Sequence, residues 1–386
     1  MTDLGDDAGR REARTAFLRN CGATGTVAEE LLEYGASAFD AGGLPRPLHL
    51  PLNDEPHVDA WRGYAAHEDI YAALQQALVQ LRFPVREGIS KTDAYHDATL
   101  AGGPAELGGL ATGLQLDHPA ELTLTINPTP AGAVPVIAAH GRDDFVALMR
   151  ALAYKNEPVD IPESQGAATL RGYNNWDRIG SYRAAWCATH PDGDWDEEFK
   201  SLIPRRELYQ DRFMILSDGP YSAVPAAALD LDDEEWRRLS VQIRMHHECT
   251  HYATERLLGS MRNRALDEVL CDYFGIVATL GRFRADWLLA FLGLEAFPRY
   301  RQGGRLQNYA GELSAKAFAI LQRVVVDAAG NLESFDAALG DDDRGERGRS
   351  AVLLALAGLS LEEMAAPQGA QQMHASLNEA RARLHE

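Results

Sequence analysis

DDEEWRRLSVQIRMHHECTHYATERLLGSMRNRALDEVLCDYFGIVATLG, residues 232–281, is the stretch from which the chain is best read. Asp232 or Asp233 can cap a helix, and the acids that follow suit the positive end of its dipole. Trp236, Leu239, Ile243, His247, His251, Thr254 and Leu258 recur at steps of three or four residues, and Gly259 can close the helix. His247 and His251 therefore share the face that the apolar residues mark as buried. A second helix is expected over 265–280, with Glu268 and Asp272 four residues apart on one of its faces.

Outward from this pair the chain changes character. Everything after 232 reads as almost entirely helical. Residues 8–36 read as helix with a break at 21–25, 37–60 as loop, 67–83 as one amphipathic helix, and 84–117 as mostly irregular. The alternation at 122–126 and the apolar run at 134–138, joined by a turn at 129–132, predict a hairpin. A helix follows over 143–154. Residues 155–210 give few periodic signals beyond a short strand near 167–170, and 212–217 reads as a strand. The expected fold class is α+β. A mixed α/β region (1–230) would form a wall of the substrate cleft, and a helical region (231–386), zincin-like, would bind metal and carry catalysis.

Composition bounds the function. The 386 residues are 46% hydrophobic and 24% charged, which is globular composition. Fifty-seven acidic residues against 37 basic ones leave a net charge of −20, which argues against a nucleic-acid partner and against docking on anionic lipid. No apolar run approaches the roughly 20 residues of a membrane span, and the N-terminus lacks the apolar core of a secretory signal. Cysteines at 21, 187, 249 and 271 form neither a CxxC pair nor a disulfide framework, so reduced thiols and a cytoplasmic location are expected.

The chemistry lies in His247-Glu248-Cys249-Thr250-His251, an HExxH motif. Four residues advance a helix by about one turn, so the two imidazoles project side by side and can donate two nitrogens to one zinc ion. Glu248, about 100° round from His247, can address a metal-bound water without ligating. The metal brings that water's pKa towards about 7, and the carboxylate takes its proton. On the second helix, one of Glu268 and Asp272 can be a third ligand while the other accepts the far N–H of a ligand histidine.

HExxH followed by a glutamate and, four residues later, an aspartate resembles the gluzincin branch of zinc metallopeptidases. The resemblance implies His247, His251 and Glu268 as ligands of one Zn2+ per chain, Glu248 as general base and Asp272 as the group that orients a ligand histidine. It implies attack of water on an amide or peptide carbonyl, with a peptide or small amide as substrate. It also implies an extended strand beside the active-site helix, for which 212–217 is the candidate. Sixteen residues separate His251 from Glu268, so the connecting loop must be short. Arg244 stands three before His247, and no match is evident for the family's downstream transition-state histidine or tyrosine. The longer string HHECTHY, with MRN and DE after it, also resembles an uncharacterised bacterial family.

Other readings use the same residues. Glu248 and His251 form ExxH, which with Glu268 and Asp272 suits a di-iron oxidase; Glu312, Glu362 and Glu363 would be its further oxygen donors. A non-catalytic metal-binding scaffold is the third reading. Imidazole-rich ligation with one carboxylate favours zinc. His246 falls on a different helix face. Cys249 and Cys271 are expected to pack rather than ligate, and Arg256, Arg262 and Arg264 to pair with acids near the interhelix loop.

Overall fold

In the computed structural model, which describes residues 4–36, 39, 43–45, 47–100, 102, 113–259 and 264–385, the expected hairpin is formed by β1 (Thr123–Asn127) and β2 (Val134–Ala139). They run antiparallel, Thr123 opposite Ala138 and Asn127 opposite Val134. With β3 (Ala167–Asn174) and β4 (Gln210–Ser217) they make one sheet in the order β1-β2-β4-β3, where β4 is parallel to β2 and antiparallel to β3. The fold is α+β, mostly helical with this small mixed sheet.

Both middle strands are buried almost along their length, as interior strands covered on both faces are. Ile137, Phe213 and Ile215 pack with Phe145, Leu148 and Met149 of the helix Arg142–Leu152 and with Trp61 and Leu74. Buried Asp211 on β4 accepts hydrogen bonds from Trp61 Nε1 (2.8 Å), Asn175 Nδ2 (2.7 Å) and Arg178 (2.5 Å), so its charge is fully partnered. The strand at 212–217, expected to align a substrate backbone, instead has a sheet partner on each side. Its backbone groups are spent in the sheet, so it offers no edge.

The chain divides into two compact units, Met1–Leu52 with Pro220–Glu386, and Asn53–Gly219. The first 52 residues thus belong with the helical part rather than with the region expected over 1–230. The cause is long-range pairing. Arg10 bonds the Glu363 carboxylate through two nitrogens (2.7 and 2.8 Å), Arg14 bonds Glu362 (3.0 Å), and Leu18, Leu31 and Leu32 are buried. These ion pairs also occupy two of the carboxylates considered as di-iron donors; the third, Glu312, is exposed.

Three local readings change. The helix expected over 67–83 breaks at Leu78, which is extended between Ile70–Ala77 and a 3-10 turn at Val79–Arg82. Within 84–117 a helix forms at Asp93–Leu100. Within 155–210 lie the helices Trp176–Thr189 and Trp195–Leu202, capped by the side chains of Asn175 and Asp194. No described helix is long and apolar enough to cross a membrane.

In the unit formed by Met1–Leu52 and Pro220–Glu386, the motif helix Asp233–Leu258 packs on the carboxylate helix Ala265–Leu280. Asp232 caps the first, its side chain accepting the Glu235 N–H, and Gly259 ends it at φ 70°. The two backbones approach closely at Gly275, where an added Cβ would sit 2.9 Å from the Ile243 carbonyl oxygen. That contact sets how deeply the two faces interleave. Gly275→Ala should force the helices apart and lower stability by about 1–3 kcal/mol, the usual cost of overpacking. Chemical denaturation checks this; an unchanged midpoint would show that the contact sets nothing.

Candidate metal centre

The helix pair brings the four predicted residues together. His247, His251, Glu268 and Asp272 are 5%, 6%, 3% and 0% exposed. The two Nε2 atoms lie 3.2 Å apart; Glu268 Oε2 is 3.5 Å from that of His247 and Glu268 Oε1 is 3.5 Å from that of His251. A tetrahedral zinc with bonds of ~2.0–2.1 Å spaces its ligand atoms about 3.3–3.4 Å apart. The three separations are therefore close to those between neighbouring ligand atoms of such a site. Glu268 Oε2 is buried without a hydrogen-bond partner, which is costly for a carboxylate oxygen unless a cation answers it. The donors fit a divalent ion.

Asp272 sits on the far side of His247. Its Oδ1 lies 2.9 Å from Nδ1, so an Nδ1–H donated there leaves the Nε2 lone pair facing His251 and Glu268. Two residues outside the helix pair complete this arrangement. The Tyr221 hydroxyl donates to Asp272 Oδ1 (2.6 Å) and lies 2.9 Å from His247 Nδ1. Arg305 donates from Nη1 to the Tyr221 oxygen (2.7 Å) and from Nη2 to Asp272 Oδ2. Its guanidinium carbon stands 5.0 Å from the Tyr221 ring centre and 5.9 Å from that of Tyr309.

These contacts set the charges. Burial opposes ionisation of Asp272, but Arg305, His247 and Tyr221 outweigh it and hold its carboxyl well below the usual range. Burial also opposes ionisation of Glu268, yet the hydrogen bond to His251 and the charges of His247, His251 and Arg305 bring it down to about 2. His251 is disfavoured as a cation by burial; Cys271 and Glu268 reverse this and raise its pKa well above the ordinary value. Burial drives the phenol of Tyr309 far up, with further contributions from Glu268, to which it hydrogen-bonds, and from Asp272; Arg305 partly opposes the rise.

Cys271, expected only to pack, joins the cluster. It lies on the Glu268 face one turn along and brings its sulfur within 4.8 Å of a nitrogen of each histidine. Burial pushes its thiol up to about 12. Cys249 is buried away from this group, its thiol likewise driven to about 12 by burial. Glu248 is partly buried on the helix position after His247. His246 is partly buried on its own face, where burial, then Arg349, lowers its pKa. Arg256 donates to the Tyr252 hydroxyl (3.1 Å), and Arg264 holds the Glu33 and Tyr34 carbonyls (3.1 and 2.6 Å) rather than only acids. Arg262 lies outside the described residues.

Tyr221, Arg305 and Tyr309 escape a reading by periodicity because they stand in 3-10 turns, Tyr221–Ala223 and Arg305–Tyr309, where no repeat marks a buried face. The only signal is Arg305 itself, set between glycines and an apolar residue in an otherwise acid-rich chain.

The chain belongs to DUF7005, a family of unknown function, whose profile matches residues 16–368. No curated protein and no solved structure matches it.

Arg305→Met removes the guanidinium bonded to fully buried Asp272 and should cost about 3–5 kcal/mol, the penalty for stranding a buried charge. Because the folded pKa of Asp272 is depressed, its ionised form stabilises the wild type above the unfolded value of about 3.9, and that contribution is lost as pH falls through the folded pKa. Denaturation of metal-free protein should therefore show the gap between wild type and variant shrinking below about pH 4. A gap independent of pH would detach Arg305 from Asp272.

Proposed function

We propose that this DUF7005 member is a zinc-dependent hydrolase of an amide or peptide bond, with His247, His251 and Glu268 holding the ion and Glu248 as general base. One observation carries the reading: two Nε2 atoms 3.2 Å apart each lie 3.5 Å from an oxygen of ionised Glu268, whose Oε2 has no hydrogen-bond partner, and these separations are close to those between zinc ligands. The gluzincin resemblance supplies the roles.

When bound, the ion would supply Lewis acidity, polarising a carbonyl and making a water acidic near neutral pH. The chain's own groups do the rest. Asp272, fixed by Tyr221 and Arg305, holds His247 in the tautomer whose Nε2 can ligate. Glu248 sits next to the ligands in sequence but is not one of them, and its partial exposure lets it take the proton of the attacking water and return it to the leaving amine. Tyr309, neutral and hydrogen-bonded to Glu268, keeps that carboxylate oriented.

Cys271 favours a second reading. If its thiol deprotonates on metal binding, His247, His251, Glu268 and Cys271 close the tetrahedron and the centre is structural. The energetics support the open site: Glu268 is already ionised, whereas the Cys271 thiol lies near 12.

Metal analysis of protein purified without a histidine tag should find one zinc per chain bound at this centre. Cys271→Ser should retain it and Glu268→Ala should lose it; loss in Cys271→Ser would favour the closed site, and two irons per chain the di-iron oxidase. Asp272→Ala should weaken zinc affinity by roughly 10–100-fold, as read by chelator competition, and equal, complete loss with Glu268→Ala would make both carboxylates ligands.

The zinc-loaded chain, incubated with a mixture of peptides and N-acyl amino acids and followed by mass spectrometry, should release amine products. Glu248→Gln, at equal zinc content, should lower that rate by at least about 100-fold. Turnover unchanged in Glu248→Gln would overturn the assignment of the base.

A further inference from the structure

A second group of metal-ligating side chains lies in the unit formed by Asn53–Gly219, away in sequence from every residue of the centre described above. His118, Glu121 and His140 bring one donor atom each within 4.8 Å of one another. His118 Nδ1 is 3.6 Å from Glu121 Oε1, and His140 Nδ1 is 3.3 Å from Glu121 Oε2. Asp218 adjoins the group at His140, with Oδ2 3.1 Å from His140 Nδ1.

The sheet explains why these residues meet. β2 and β4 are parallel, with Ala139 paired to Ser217, so the next residues in register are His140 and Asp218. Both therefore leave the carboxyl ends of adjacent parallel strands, the place where open α/β sheets present ligands. Asp218 is steered by the Gly141 N–H, which donates to Oδ1 (3.0 Å) and leaves Oδ2 for His140. The loop carrying His118 is pinned from beneath. Asp144, 2% exposed, accepts the N–H groups of Asp117 (2.6 Å) and His118 (2.9 Å). Three separate chain segments are thus held in position.

The spacing favours a cation over a set of ordinary ion pairs. The 3.6 Å separation is too long for a hydrogen bond and 3.3 Å is long for one to a carboxylate, yet both are close to the about 3.3–3.4 Å between neighbouring ligand atoms of a tetrahedral zinc, one imidazole standing at each Glu121 oxygen. The two imidazoles stand edge to face with ring centres 4.9 Å apart, an arrangement that points both Nδ1 atoms at Glu121 without stacking the rings. Two neutral imidazoles and two carboxylates make an N2O2 set with two negative charges, which suits a borderline divalent transition metal. The side chains of His118 and Glu121 are about half exposed, so the ion would be reached from solvent.

We propose that His118, Glu121, His140 and Asp218 form a second, solvent-accessible site for a divalent transition metal, zinc in the first instance. The site does not depend on the hydrolase reading, since it shares no residue with it.

The test is zinc titration of tag-free, chelator-stripped full-length protein by equilibrium dialysis with elemental analysis. The wild type should take up one equivalent more than His118→Ala, or bind it at least about tenfold more tightly. The Glu268→Ala variant should still bind this equivalent, which separates the outcome from that of the other centre. Circular dichroism and thermal melting should show His118→Ala folded as the wild type is. Should His118→Ala misfold, Glu121→Gln makes the same comparison from a side chain 56% exposed. Zinc uptake by the folded variant with unchanged stoichiometry and affinity would overturn the proposal.

Discussion

Burying two imidazoles and two carboxylates between two helices is the constraint on which the helical unit depends. An isolated carboxylate does not survive removal from water, so each must be answered by a hydrogen-bond donor or a cation. Asp272 is answered three times, by His247, Tyr221 and Arg305. Those partners in turn fix the turns at Tyr221–Ala223 and Arg305–Tyr309 against the helix pair. The close approach at Gly275 makes the arrangement possible, since a side chain there would meet the Ile243 carbonyl and move the imidazoles away from the carboxylates.

Much of this was legible in the sequence, and for identifiable reasons. The motif helix announces itself through Asp232, the apolar steps from Trp236 to Leu258, and Gly259, and it forms between the expected ends. Because a helix repeats nearly every four residues, two HxxxH histidines and an ExxxD pair must each share a face. The hairpin was equally plain, its period of two being local information. What could not be read was long-range. Nothing in residues 1–52 says that Arg10 and Arg14 meet carboxylates some 350 positions later. The helices at Trp176–Thr189 and Trp195–Leu202 bury few residues, so they lack the apolar stripe on which periodicity rests; only their caps, Asn175 and Asp194, mark them. The interior place of β4 depends on a crossover to β2, and a strand's own composition does not distinguish its two neighbours.

Spacing alone made Glu268 and Asp272 equivalent, and their surroundings separate them. Both oxygens of Asp272 accept hydrogen bonds, Oδ1 from Tyr221 and His247 and Oδ2 from the cationic Arg305, so it serves as a fixed acceptor for His247. Glu268 is also ionised, held so by the hydrogen bond to His251 and the charges of His247, His251 and Arg305, yet one of its oxygens has no hydrogen-bond partner. A buried anion in that state is unstable by itself and becomes favourable when a cation occupies the space its oxygens and the two Nε2 atoms enclose. Under the proposed zinc reading, this difference in satisfaction is what separates a ligand from a positioning residue.

The same accounting bears on whether the centre does chemistry. A structural zinc is fully enclosed by protein ligands, whereas a reactive one keeps a position open and a base beside it. In the proposed centre His247, His251 and Glu268 supply three corners only. The fourth available donor, Cys271, would have to give up a proton held near 12. Glu248, forced by helix geometry to lie about 100° from the ligand face, is the one carboxylate of the motif that keeps contact with solvent. Under the proposed hydrolase reading, that partly exposed acid is the group placed to move a proton at the open corner.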